Sequence, residues 1–206
     1  MITIYGAPNT RTLRALWLLE EVGATYQYRA LDFSKGESQS AEFLAINPAG
    51  KVPVMVDGDL TLTESAAILT HLCDKLSYGN LIPKINTNER SRLNEVCYFT
   101  MTELEQPLWL MAKHKFALPK SKRVADIFDT AQWEYQKACQ LLSQKLGDKP
   151  YVIGASFTMA DILVSQTLIW GQIFKLPPTQ DNLQQYLQNI ANRPALHAAR
   201  RRETTS

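Results

Sequence analysis

The chain has 206 residues, 45% apolar and 20% charged, with a net charge of +2. That balance describes a globular protein of one large domain or two small ones, without the basic excess of a nucleic-acid binder and without an apolar run of the ~18 residues a membrane span needs. The start, Met1-Ile2-Thr3-Ile4-Tyr5-Gly6, lacks the basic-then-apolar order of a secretory leader, and Cys73, Cys97 and Cys139 form no CxxC pair, so a reducing, cytoplasmic setting is expected.

Residues 2–5 read as a strand, followed by the loop Gly6-Ala7-Pro8-Asn9. A helix is predicted from Thr10, with Leu13, Leu16, Trp17, Leu19 and Val22 at helical spacing and Gly23 to end it. Thr25 to Leu31 alternates as a second strand, a span short enough for a parallel crossover. A polar stretch with Gly36 leads to a helical turn at 41–46, closed by Asn47-Pro48. Strands near 52–56 and 60–62 flank Asp57-Gly58-Asp59 as a hairpin, and a helix runs from Ser65 to about Lys75 with Ala66, Ile68, Leu69, Leu72 and Cys73 inward. The order βαβ-ββα over residues 1–77 predicts an α/β domain of thioredoxin-like order with a mixed four-stranded sheet. Residues 78–88, with Gly79 and Pro83, read as a linker. Helices are predicted near 89–116, 121–146, 158–173 and 181–191, with a short one from Ala195, making 89–206 an all-α domain. Thr158-x-x-Asp161 is a capping-box pattern with Asp in place of Glu, and its role reads as structural.

Two local features point to chemistry. A proline inside a strand gives up a ladder donor, so Pro53 after Val52 marks an edge, a bulge or a special turn, and an X–Pro bond is where a cis peptide occurs. Glu64-Ser65 stands where a strand meets a helix start, among free N–H groups and the positive end of the helix dipole, which suits a bound anion. The same residues also read as an ordinary cap, with Thr63 or Ser65 at the N-cap position. No metal-ligand spacing and no Gly-rich phosphate loop is present.

Gly-Ala-Pro-Asn-Thr, then Asn-Pro-Ala-Gly-Lys-Val-Pro, then Leu-Thr-Glu-Ser-Ala-Ala-Ile, with Phe157-Thr158-Met159-Ala160-Asp161-Ile162 in the helical half, resemble in order and spacing the glutathione S-transferase superfamily over the whole chain. The resemblance implies a cis Val52–Pro53 bond that turns the Val52 backbone toward the cysteinyl part of glutathione. It implies that Ser65 binds the γ-glutamyl carboxylate, that Glu64 meets the γ-glutamyl ammonium, and that Lys51 reaches the glycyl carboxylate. It further implies glutathione as co-substrate without a metal, a homodimer, and a hydrophobic electrophile held by the helical domain, with Tyr98, Thr102, Trp109, His114 and Phe116 as candidate lining. Neither nucleic acid nor membrane is an expected partner.

The chemistry needs glutathione's thiol as thiolate, because only the thiolate attacks. A free thiol near pKa 8.5 is mostly protonated at neutral pH, and lowering it by ~2 units takes ~2.7 kcal/mol of preferential stabilisation. A donor at a helix N-terminus can supply this by a charge-assisted hydrogen bond plus the dipole. Thr10 falls where theta- and phi-like relatives carry a serine, with Arg14 one turn on as support; Asn9 and Tyr5 are the alternatives. Arg11 adds a nearby positive charge. Thr in place of Ser is a departure, since the extra methyl restricts the hydroxyl rotamer. Residues 1–72 contain no cysteine, so a mixed-disulfide route through a protein thiol lacks its nucleophile. The alternatives are a glutathione-dependent peroxidase or disulfide reductase, and a non-catalytic interaction scaffold.

Overall fold

Alternation along Ile2–Gly6 (β1) buries Ile2 and Ile4 on one face of a sheet and leaves Thr3 and Tyr5 on the other. The computed structural model, which describes residues 1–204, pairs β1 in parallel with Tyr26–Ala30 (β2) and antiparallel with Val54–Asp57 (β3). Leu60–Leu62 (β4) adds antiparallel to β3, giving the order β2-β1-β3-β4. The crossover helix Thr12–Glu21 (α1) is buried at every position from Thr12 to Leu19, the mark of a helix enclosed on all sides. Ala41–Ile46 (α2) is capped by Ser40, whose hydroxyl accepts from Phe43 N at 3.1 Å. Ser65–Leu76 (α3) packs beside α1. Asp57, at the hairpin turn, is gripped from α3 by Lys75 and by His71 at 3.3 Å, which hold its carboxyl below the usual range.

The helical half comprises Asn88–Phe99 (α4), Glu105–Ala112 (α5), Ile127–Leu146 (α6), Met159–Ile173 (α7) and Asp181–Ala191 (α8). The continuous helix expected over 89–116 is broken by wider π turns at Thr100–Leu104 and Lys113–Ala117. Thr100 bonds back to Val96 O at 2.7 Å, which bends a helix. Pro107, one turn on, cannot donate to the carbonyl of residue 103. The helix expected from 121 begins at Ile127, after a short 3-10 turn at Lys120–Lys122. The capping box at α7 is present as read. Asp161, 0% exposed, accepts from Thr158 N at 2.8 Å, Val152 N at 2.9 Å and the Tyr186 hydroxyl at 3.0 Å.

The domain boundaries need one correction. The expected all-α domain, 89–206, loses its last helix, Pro194–Thr204 (α9), to the first unit: the chain divides into Pro83–Ala191 and a unit made of Met1–Ile82 with the segment from Asn192. Positions 205 and 206 lie outside the described residues. Leu196, Ala199 and Glu203 form a buried stripe that packs along α1. Arg193 clamps Glu21 through two bonds of 2.6 and 2.7 Å. Trp17 Nε1 steadies the same carboxylate at 2.8 Å.

Candidate functional site

Three segments singled out from the sequence converge within the first unit. Register places Tyr5 opposite Val54, so the loop after β1 emerges beside the residues that precede β3. Arg14, on the first turn of α1, donates from Nη1 to Ser65 Oγ at 3.0 Å, which draws the start of α3 to the same end of the sheet. Arg14, expected from sequence as the support of Thr10, is 0% exposed and bonds Ser65.

The loop after β1 is internally bonded. A Cβ on Gly6 would lie 2.1 Å from Thr12 Cγ2, so only glycine admits Thr12 beneath the turn. Thr12 Oγ1 accepts from Ala7 N at 3.4 Å and lies 2.8 Å from Thr10 Oγ1. Thr10 Oγ1 is also 2.7 Å from Ala7 O and accepts from Thr12 N at 3.2 Å. One hydroxyl proton serves one acceptor at a time, and both acceptors here belong to the loop itself. The helix proper starts at Thr12, not Thr10, with Arg11 at the N-cap position making no side-chain cap bond. Asn9 is exposed with φ 59°, a left-handed conformation that asparagine tolerates. Burial pushes the Glu203 carboxyl of α9 up to about 7, against the lowering influence of the Asn9 backbone N–H and of the Arg200 charge. Tyr5 lies on the α2 side of the sheet, its ring 6.1 Å from that of Phe43.

The second segment is a held loop. The Val52–Pro53 bond is cis. Asn47, 5% exposed, donates from Nδ2 to Lys51 O at 2.7 Å and accepts from Ala49 N at 3.1 Å. Gly50 has φ 60°, and a Cβ there would meet Gln39 Nε2 at 2.2 Å and Ser38 O at 2.9 Å. Lys51 is exposed and Pro53 buried. Asn47 was legible only as the end of a helical turn, although an Asn two residues before Ala49 is an Asx-turn signal.

At the third segment, Glu64 occupies the N-cap of α3 with φ 64° and ψ 111° and makes no side-chain cap bond. A non-glycine residue there is strained by ~1–3 kcal/mol, and such strain concentrates at binding sites. Glu64 is exposed while Ser65 is 2% exposed. Free N–H groups of the first turn, the Ser65 hydroxyl and the buried Arg14 charge behind it make a seat for a carboxylate. Among the described residues, no group of three or more His, Cys, Asp or Glu could hold a metal.

Comparison with known proteins decides the family. Residues 1–74 match the glutathione S-transferase N-terminal domain and residues 105–194 the C-terminal domain. The chain is 30% identical over 178 residues to glutathione S-transferase 2 of Anopheles gambiae, covering 82% of this chain and 79% of that protein. The chain belongs to the glutathione S-transferase family. It is also similar to GstA of Escherichia coli O157:H7, 25% identical over 201 residues with 95% and 96% of the two chains covered. Among solved structures, a glutathione transferase from Methylococcus capsulatus superposes with a TM-score of 0.86 at 26% identity, over 99% of both chains. One from Phanerochaete chrysosporium, in complex with oxidized glutathione, shares the fold at 24% identity and a TM-score of 0.83, over 98% of this chain and 96% of that one.

For this transferase the electrophile residues expected on one long helix are spread over α4, α5 and the two π turns, with Thr102 and His114 inside those turns. Tyr98 is 70% exposed, and Thr102 lines a cleft of about 320 Å³ with Trp133, Lys137 and Leu141 of α6. Trp109 is half-buried. His114 accepts through Nδ1 from Val124 N at 2.9 Å, which makes it a clip for the following loop. Phe116 is exposed. Among the described residues, no helix is long and apolar enough to cross a membrane.

Proposed function

We propose that the protein binds glutathione at the end of the sheet where the three segments meet, and activates its thiol for attack on a hydrophobic electrophile. The observation that carries this is the strained Glu64 beside the buried Ser65 at the start of α3. The Val52 backbone pairs with the cysteinyl unit, Ser65 and Glu64 take the γ-glutamyl head, and Lys51 reaches the glycyl carboxylate. Thr10 exchanges its loop acceptor for the thiolate, with Asn9 beside it and Arg11 adding charge. The electrophile site belongs to the helical unit. A homodimer in the cytoplasm completes the proposal, in keeping with three cysteines that are all buried.

Cys97 and Cys139 are poor redox nucleophiles, and Cys73 is 0% exposed. Burial pushes Cys97 up to about 12 and Cys139 up to about 11, and only the thiolate reacts. Any peroxidase or disulfide-reducing work must therefore run through the thiol of glutathione itself.

Calorimetric titration of glutathione into wild type and Glu64→Ala tests binding, and a protein that takes up no glutathione at millimolar concentration sinks the proposal. For catalysis, Thr10→Ala should cut kcat/KM on a generic aryl halide by about tenfold, a charge-assisted bond's worth, with glutathione affinity within about twofold. Thr10→Ser should exceed wild type, because the hydroxyl regains its free rotamers. Equal turnover in wild type and Thr10→Ala would move the role to Asn9.

A further inference from the structure

Arg14 stands behind the candidate carboxylate seat, on a different helix from it. Its side chain is 0% exposed, and its Nη1 donates to Ser65 Oγ at 3.0 Å. A guanidinium has five N–H donors and no acceptor, so in this bond the Ser65 oxygen must accept. The Ser65 proton is then directed elsewhere. The neighbouring backbone groups at a helix start are N–H donors as well, which leaves an incoming acceptor as the natural partner of that proton. The arrangement thus fixes the hydroxyl as a donor and polarises it with a buried positive charge, in a setting where the helix dipole already favours an anion.

We infer that Arg14 is a positioning residue that commits Ser65 to donating to the α-carboxylate of a γ-glutamyl ligand, and so selects ligands that carry that carboxylate. This rests on the glutathione binding proposed above. Arg14 does not touch the ligand; it acts through Ser65. Its effect belongs to affinity and ligand choice, while the reacting sulfur lies with the other helix start.

The test compares glutathione with 4-aminobutyryl-Cys-Gly, which lacks only the α-carboxylate, by calorimetric titration into wild type, Arg14→Met, Arg14→Lys, Ser65→Ala and the Arg14→Met/Ser65→Ala double variant. Wild type should prefer glutathione by about tenfold or more, the worth of a hydrogen bond to a charged group. Arg14→Met should lose most of that preference by weakening glutathione alone, so that KM for glutathione rises by a larger factor than kcat falls. The double variant should bind glutathione no more weakly than Ser65→Ala, because both substitutions act on one contact. Arg14→Lys keeps the charge with fewer donors and should fall between; it decides the matter if Arg14→Met does not fold, as judged by circular dichroism. Equal weakening of both ligands in the Arg14 variants, or an unchanged preference, overturns the inference and leaves glutathione binding intact. Wild type that binds neither ligand overturns both.

Discussion

Two helix starts that look alike in sequence have opposite fates here. At α7, Thr158 and Asp161 close on each other, and the carboxylate satisfies two backbone N–H groups and a tyrosine hydroxyl out of contact with water. At α3, Glu64 holds a strained backbone with no side-chain cap bond, and Ser65 is bonded from behind by Arg14. The first cluster has spent its hydrogen-bonding capacity on the chain. The second keeps donors in reserve, and an anion can collect them. A cap complete in itself is architecture; the open, strained cap at α3 is where we propose that glutathione binds.

The sharpest way to break the contrast is at α7. Asp161→Ala leaves several buried donors without a partner and should cost about 3 kcal/mol or more in chemical denaturation, while the folded fraction keeps wild-type affinity for glutathione. A large affinity loss in folded protein would erase the distinction. Glu64→Gly probes the other side. Glycine adopts positive φ freely, so unfolding free energy should rise by about 1 kcal/mol while glutathione affinity falls. A variant that gains no stability would mean the backbone there carries no strain. The smallest effect concerns Glu203. Its carboxyl titrates at about 7 when folded against an ordinary value of 4.5, so the folded state holds the extra proton between those values and loses stability as pH rises through that window. Glu203→Gln should flatten this slope, seen as Tm measured at pH 5 and pH 7.5; an unchanged slope would place the titration elsewhere.

The elements of the first 77 residues were legible because they are local. Periodicity marked α1 and α3, Asp57-Gly58-Asp59 marked the hairpin, and the cis bond at Pro53 was implied only by the family resemblance. What escaped was joined at long range. Arg14 reads as one more residue on an apolar helix, and only the sheet's topology brings Ser65, 51 positions on, to its guanidinium. The clamp of Arg193 on Glu21 spans 172 positions, and no neighbouring residue announces it. The π turns escaped for a different reason. One extra residue per turn barely disturbs a hydrophobic count, although Thr100 and Pro107 were there to suggest a bend. Thr10 was read as the start of α1, which begins two residues later at Thr12, and its bonds to Ala7 and Thr12 depend on a turn geometry that composition does not encode.

The return of α9 to α1 also sets the order of assembly. The first unit is discontinuous, with the helical unit inserted between its two pieces, so α1 keeps an apolar flank uncovered until α9 has left the ribosome. Domains usually fold as units in the order they emerge. Here the unit that begins first is completed last, and Pro83–Ala191 can close its own core before its predecessor is finished.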